Sequence, residues 1–136
     1  MNHSERFLRI VDAARVRVRE ISPEEALTRI EKRDNVLLID TREDHEWERG
    51  YVAGAMHLSR GLLERDIEKV APDTAQEIIL YCGGGFRSIL AADSLAQMGY
   101  TNVRSMSTGW KGWQVRGLPV AGIESPDHSG DANESN

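Results

Sequence analysis

Two continuous apolar runs constrain the fold of this chain more than any other feature. Residues 36–39 read Val-Leu-Leu-Ile and residues 78–81 read Ile-Ile-Leu-Tyr. Short apolar runs without polar alternation are typical of strands covered on both faces, as in parallel sheets. Amphipathic helical patterns at residues 22–32, 62–70 and 88–98 alternate with these runs. Strands alternating with helices at this spacing predict an α/β fold, a parallel sheet with helices on both faces.

The flanking segments predict three regions. Residues 4–14 show helical apolar spacing with Ser4 as a candidate N-cap, so residues 1–15 are expected to form an amphipathic helix that packs on its own domain, or alternatively contacts a dimer partner. Residues 16–21 alternate apolar and charged side chains, which predicts a half-exposed edge strand. It opens the main domain, residues 16–121. The small, polar residues 122–136 predict a disordered tail.

Charge and cysteine content exclude several classes of partner. The chain has 136 residues and a formal net charge of −5. Nucleic acids and anionic membranes select basic surfaces, so neither is expected as a partner. Neither a membrane-spanning apolar run nor a secretory signal pattern is present, and the single cysteine cannot form an intramolecular disulfide. A cytoplasmic location is therefore expected.

That cysteine, Cys82, lies where a strand pattern passes into a helical one. Gly83, Gly84 and Gly85 follow it, and then Phe86, Arg87 and Ser88 begin the helix. Glycines let a turn adopt positive φ and direct backbone N–H groups at a small anion. Helix N-terminal amides and Arg87 both favour the thiolate, which is the nucleophilic form of cysteine. The alternative is a buried structural cysteine, but such a residue needs no triple glycine.

Several segments, in order, give the chain a family resemblance. From about residue 16 to 120 it resembles a single-domain rhodanese, a thiosulfate or persulfide sulfurtransferase. The segments are Leu38-Ile39-Asp40-Thr41-Arg42-Glu43 with Glu46, Trp47 and Gly50; Gly54-Ala55 with Leu58; residues 81–88; and Gly109-Trp110, Trp113, Gly117, Pro119 and Val120. The resemblance implies a rhodanese-like fold with a central five-stranded parallel sheet and helices on both faces.

The resemblance also implies a mechanism. Cys82 would be the catalytic nucleophile and would form a persulfide, whose outer atoms the loop Gly83, Gly84, Gly85, Phe86, Arg87 and Ser88 would bind. The implied partners are a small sulfur donor, thiosulfate or a persulfide, and an acceptor, either a thiol, cyanide or a protein. No metal or other cofactor is expected. Arg87 has two open interpretations: it contacts substrate, or it ties the loop to neighbouring carboxylates and carbonyls.

Two positions depart from the family pattern. Tyr51 stands where many members have a histidine, and His57 is expected to be a structural histidine on a short strand instead of a base. Gly83, Gly84 and Gly85 supply no cation, whereas some thiosulfate-active members place a basic residue in the loop. Thiosulfate is therefore no stronger a candidate donor than a persulfide.

Asp40 and Arg42 follow the first buried strand and resemble residues that brace the Cys82 loop. The alternative is that Asp40 caps a helix over residues 41–49 while Arg42 is solvated. Trp47, Trp110 and Trp113 are expected to pack in the core or at its rim, with an aromatic wall to the site as the alternative.

Two other functions compete with sulfur transfer. A cysteine-dependent phosphatase or arsenate reductase shares this architecture, but its loop has one more residue between cysteine and arginine than the four found between Cys82 and Arg87. The other rival is a non-catalytic module that carries sulfur or binds a partner.

Overall fold

The computed structural model describes residues 2–32 and 35–123. In chain order the elements are α1 Glu5–Arg15, β1 Arg19–Ile21, α2 Pro23–Lys32, β2 Leu37–Asp40, α3 Asp44–Trp47, β3 Tyr51–Val52, β4 Met56–His57, α4 Leu63–Val70, β5 Ile78–Tyr81, α5 Arg87–Gln97, β6 Val103–Met106, α6 Gly109–Val115 and β7 Val120–Ala121.

The main sheet has five strands in the order β1-β6-β5-β2-β4, and every pairing in it is parallel. Its central strand β5 is buried at all four positions, as its apolar run predicts. Two separate hydrophobic clusters are built around Ile78 and Leu80 and around Ile79 and Tyr81, because alternate strand residues face opposite sides of the sheet. The predicted α/β fold and its five-stranded parallel sheet are confirmed.

Two elements are shorter than expected. The edge strand is shorter than residues 16–21, because α1 continues to Arg15 and Arg17 donates from its backbone to the Ala14 carbonyl in a turn. The helix expected over residues 41–49 is reduced to α3. Thr41 lies outside the helix and donates to the Tyr81 carbonyl from its N–H and its Oγ1, both at 2.9 Å.

The N-terminal helix packs on the domain through one face. Val11 and Ala14 of α1 are buried against Ile89 of α5. Ser4 caps the helix by accepting a hydrogen bond from the Phe7 N–H at 3.1 Å. The expected tail at residues 122–136 lies outside the described residues from residue 124 onward.

Within the described residues no helix is both long and apolar enough to cross a bilayer.

Candidate active site

Cys82 lies immediately after β5, and α5 begins five residues later at Arg87. The carboxyl ends of β2, β5 and β6 meet at this edge, where parallel α/β sheets bind ligands. The Cys82 side chain is only 1% exposed. Its surroundings are therefore set by backbone and side chains of the protein more than by bulk water.

Two backbone amides point at the sulfur. The N–H groups of Gly85 and Ser88 donate to Cys82 Sγ at 3.2 and 3.3 Å. Ser88 lies in the first turn of α5, and Phe86, the N-cap residue, makes no side-chain cap hydrogen bond. The sulfur thus occupies the place of a helix cap, where the positive end of the helix stabilises negative charge.

A hydroxyl pair completes the buried side of the sulfur. The Cys82 thiol points at Ser88 Oγ at 3.5 Å, and Ser88 Oγ lies 2.7 Å from Ser105 Oγ on β6. Both serines are fully buried. A hydroxyl can turn to donate to a thiolate, so this pair is able to follow a change of charge on sulfur.

The loop backbone is held by the start of α6. The N–H groups of Trp110 and Lys111 donate to the carbonyl oxygens of Cys82 and Gly83 at 2.8 and 3.0 Å. Gly109 makes this approach possible, because a Cβ there would lie 2.3 Å from the Cys82 carbonyl oxygen. Gly85 has φ +95°, and a Cβ on it would lie 2.8 Å from the Thr108 nitrogen.

Arg87 is tied to a carboxylate. Its two terminal nitrogens lie 3.4 Å from the two Glu46 oxygens, long for a charge-assisted pair. Burial works against the charge of Arg87, but Glu46 and Cys82 keep its pKa above the ordinary value. Burial also opposes ionisation of Glu46, but the Glu43 amide and Arg87 hold the pKa of Glu46 below its usual range.

Asp40 and Arg42 form a buried ion pair beside the loop. Arg42 Nη2 lies 2.7 Å from Asp40 Oδ2 and donates to the Gly50 carbonyl at 2.7 Å. The guanidinium also lies 4.8 Å from the centroid of the Trp110 ring. Arg42 is 3% exposed, so the solvated alternative is wrong.

The helix-cap alternative for Asp40 is wrong as well, because α3 begins only at Asp44, with Glu43 at its N-cap. Among the described residues, the side chains of Asp40 and Arg42 make no hydrogen bond to residues 83–88. Arg42 instead lies near two rings next to the loop: that of Trp110, whose N–H binds the Cys82 carbonyl, and that of Tyr81, which precedes Cys82, at 5.9 Å.

The remaining aromatic residues divide between core and rim. Trp113 is buried in the core. Trp47 is half-buried and lies between Tyr51, with ring centroids 3.6 Å apart, and His57, at 5.0 Å. His57 Nε2 is 2.8 Å from the Arg42 carbonyl oxygen, the satisfied structural arrangement that its place in the sequence predicts.

Sequence reasoning missed three contributors to the site. Glu46 was part of the resemblance but had no assigned partner, and its spacing from Glu43 is a capping-box signal that places it at the start of α3. Ser105 and Thr41 carry no such signal. Ser105 of β6 contacts Ser88 of α5, and Thr41, which follows β2, contacts Tyr81 of β5. Only the order of the strands brings these residues together.

Comparison with known proteins identifies the family. The Rhodanese-like domain model matches residues 22–116. A sulfurtransferase from Allochromatium vinosum is 31% identical over 107 residues, which cover 79% of this chain and 98% of that protein. The thiosulfate sulfurtransferase GlpE of Coxiella burnetii is 31% identical over 97 residues, covering 71% of this chain and 88% of that enzyme.

The chain therefore belongs to the rhodanese-like family, and sulfurtransferase is the enzyme class of these relatives. A solved structure from Rhodopseudomonas palustris, of a protein described as a possible tyrosine phosphatase, has a TM-score of 0.80 and 25% identity. The aligned region covers 89% of this chain and 98% of the Rhodopseudomonas palustris chain.

Proposed function

We propose that this protein transfers a sulfane sulfur through a persulfide on Cys82. The observation that carries the proposal is the pair of amides, from Gly85 and Ser88, that converge on Sγ. Preorganised N–H donors in a buried site stabilise negative charge that develops during a reaction. The attacking thiolate carries its charge at this place, and the persulfide product carries it one sulfur–sulfur bond away.

The first half-reaction forms the persulfide. The Cys82 thiolate attacks the outer sulfur of the donor, a Cys82 S–S bond forms, and the donor's own bond to that sulfur breaks. With thiosulfate, sulfite leaves with the bonding electron pair. With an organic persulfide, the thiolate of the donor leaves. The new terminal sulfur carries the negative charge and lies about 2 Å from Sγ.

The second half-reaction regenerates the enzyme. An acceptor nucleophile attacks the terminal sulfur, the Cys82 S–S bond breaks, and its electron pair returns to Sγ as thiolate. A thiolate acceptor becomes a persulfide and cyanide becomes thiocyanate. The acceptor is a small thiol, cyanide or the thiol of another protein. Residues 83–88 bind the transferred atoms in both half-reactions, and Asp40 and Arg42 support them through Trp110.

Two observations bear on the donor. Gly83, Gly84 and Gly85 place no cation in the loop, and Glu46 partly neutralises Arg87. Both disfavour a dianion such as thiosulfate relative to a less charged persulfide. The similarity to an enzyme named for thiosulfate favours thiosulfate. We propose both as donors, in a reducing cytoplasm that keeps the single thiol free.

Mass spectrometry tests the function directly. Incubation with thiosulfate or a small persulfide should make the chain heavier by one sulfur atom, and cyanide or a thiol should remove it. The Cys82→Ser variant should gain nothing. A chain that takes up no sulfur from any of these donors would be a binding module instead of an enzyme.

A phosphatase is the second candidate, because of the Rhodopseudomonas palustris structure. Only four residues separate Cys82 from Arg87, which leaves less room for a tetrahedral phosphoryl group than the longer phosphatase loop. We expect no hydrolysis of an aryl phosphate. Phosphate release that disappears in Cys82→Ser would favour the phosphatase.

A further inference from the structure

The start of α1 lies against the loop that contains Cys82. The ring centroid of His3 is 4.6 Å from that of Phe86 and 5.1 Å from that of Phe7, and Phe7 and Phe86 are 6.5 Å apart. These separations are in the range of favourable aromatic pairs. Phe86 is the loop residue between Gly85 and Arg87, so α1 touches the candidate site itself.

The position of Phe7 is fixed by the rest of α1. Ser4 caps the first turn through the Phe7 N–H, and Val11 and Ala14 are buried against α5 farther along the helix. At the other end, Arg17 makes two hydrogen bonds of 2.9 Å with the two carboxylate oxygens of Asp93 on α5. The helix is thus attached to the domain at both ends and along one face.

A small displacement of Phe86 would be transmitted through its neighbour Gly85 to the Cys82 sulfur. Gly85, its neighbour, donates its N–H to Cys82 Sγ and has a positive φ. Phe86 itself is the N-cap residue of α5 and has no side-chain cap hydrogen bond. The Phe86 carbonyl accepts a hydrogen bond from the Ile89 N–H at 3.1 Å. Contacts of the Phe86 ring add to this restraint, one with Phe7 of α1 and one with His3, which precedes α1.

We propose that α1 is a positioning element for the sulfur-transfer loop, with Phe7 a positioning residue that acts through Phe86. The helix lies outside the residues 22–116 matched by the family model. The inference rests on the proposed function for its kinetic consequence. Its structural part, restraint of the loop, can be measured without sulfur transfer.

The test compares single substitutions in the full chain. Phe7→Ala removes one ring, Phe7→Leu keeps apolar packing without the ring, and Phe7→Tyr keeps the ring. Arg17→Ala removes the ion pair with Asp93 beyond the C-terminal end of α1 and leaves the rings in place. Ile10→Ala changes an exposed residue of the same helix. Three measurements are made on each: single-turnover persulfide formation, alkylation of Cys82 by iodoacetamide, and hydrogen exchange of a peptide covering residues 83–88.

Phe7→Ala should lower the rate of persulfide formation at saturating donor about three- to tenfold, the equivalent of one aromatic contact, with KM nearly unchanged. Exchange in residues 83–88 should quicken and the alkylation rate should change. The rate of Phe7→Leu should lie between those of Phe7→Ala and the wild type. Phe7→Tyr should match the wild type, and Ile10→Ala should change none of the three measurements. Arg17→Ala should lower the melting temperature while leaving the kinetics of the folded protein unaltered.

Equal behaviour of Phe7→Ala and Arg17→Ala, once each is corrected for its unfolded fraction, would overturn the proposal. So would unchanged exchange at residues 83–88 in Phe7→Ala. If the wild type forms no persulfide, the proposed function fails, while exchange and alkylation still decide whether α1 restrains the loop.

Discussion

The guanidinium of Arg87 faces the carboxylate of Glu46 with both nitrogen–oxygen distances at 3.4 Å. Arg87 closes the Cys82 loop, and Glu46 lies on the short helix after β2. Both side chains are partly exposed, at 37% and 29%. The long distances describe a loose pair, which is compatible with the proposed contact between Arg87 and an anionic donor.

Replacing Glu46 with glutamine should improve the use of thiosulfate. The Glu46→Gln change removes one negative charge beside a dianionic donor and frees Arg87, so the KM for thiosulfate should fall about fivefold. Glutamine retains the capping hydrogen bond to the Glu43 N–H. Glu48→Gln, on an exposed neighbouring acid, is the matched control. Steady-state kinetics at fixed acceptor concentration would contradict the prediction if the KM rose or stayed constant.

The same pair should contribute to stability in a pH-dependent way. The pKa of Glu46 is lowered in the folded protein, so its contribution is present above its unfolded pKa of about 4.3 and is lost as the pH falls through the folded pKa. Near neutral pH the wild type should therefore have a higher melting temperature than Glu46→Gln. Its unfolding free energy should be larger by about 0.2–1 kcal/mol. The two melting curves should converge in acid. A difference that grew in acid would exclude this origin.

Two adjacent loop glycines should respond differently to alanine. Gly85 has φ +95° and a Cβ there would lie 2.8 Å from the Thr108 nitrogen, whereas a Cβ on Gly84 meets only the Phe86 ring at 3.8 Å. Gly85→Ala should cost at least about 1 kcal/mol of unfolding free energy and abolish most sulfur transfer, because it moves the amide that binds Sγ. Gly84→Ala should retain both the unfolding free energy and the sulfur transfer of the wild type. Urea denaturation and persulfide formation measure the contrast, and equal behaviour of the two variants would argue against an amide-based site.

Sequence reasoning located what depends on local pattern. The apolar runs at residues 36–39 and 78–81 gave β2 and β5 within one residue, because burial on both faces requires continuous apolar residues. The Cys82 loop followed from its glycines and the helical pattern behind them. Both kinds of signal are contained in a few neighbouring residues.

Contacts between distant segments were not predictable in the same way. The helix expected at residues 41–49 loses its first turn because Thr41 binds the Tyr81 carbonyl across the sheet, which no local propensity reflects. The antiparallel pair of Tyr51–Val52 with Val120–Ala121 joins strands of two residues each, too short for a periodic signal. The contact of Phe7 with Phe86 likewise depends on how α1 docks.

Breaking the Asp40–Arg42 pair should be strongly destabilising. Both residues are almost fully buried, so Arg42→Ala would leave the Asp40 carboxylate uncompensated, at a cost of about 3–5 kcal/mol in unfolding free energy. It would also remove the cation beneath Trp110. Chemical denaturation measures the loss.

The pair of Arg65 and Asp66 offers the control, since the Arg65 side chain is 68% exposed and Arg65→Ala should change stability little. Asp40→Asn combined with Arg42→Ala should be less destabilised than Arg42→Ala alone, because the buried charge is gone. A double variant as unstable as the sum of its parts would show that the two side chains act independently.

The buried hydroxyls of Ser88 and Ser105 should affect the rate of persulfide formation most strongly, because Cys82 reacts as a thiolate. Ser88 Oγ lies 3.5 Å from Sγ and 2.7 Å from Ser105 Oγ, so Ser105 can donate to Ser88 while Ser88 donates to a thiolate. Ser88→Ala removes the donor and should slow persulfide formation on the order of tenfold, the range of a hydrogen bond to a charged group. Ser105→Ala leaves the Ser88 hydroxyl in place and should slow it less. Stopped-flow measurement of the first half-reaction shows which of the two variants is slower. A larger effect of Ser105→Ala would mean that the pair acts through packing of β6 instead of through the sulfur.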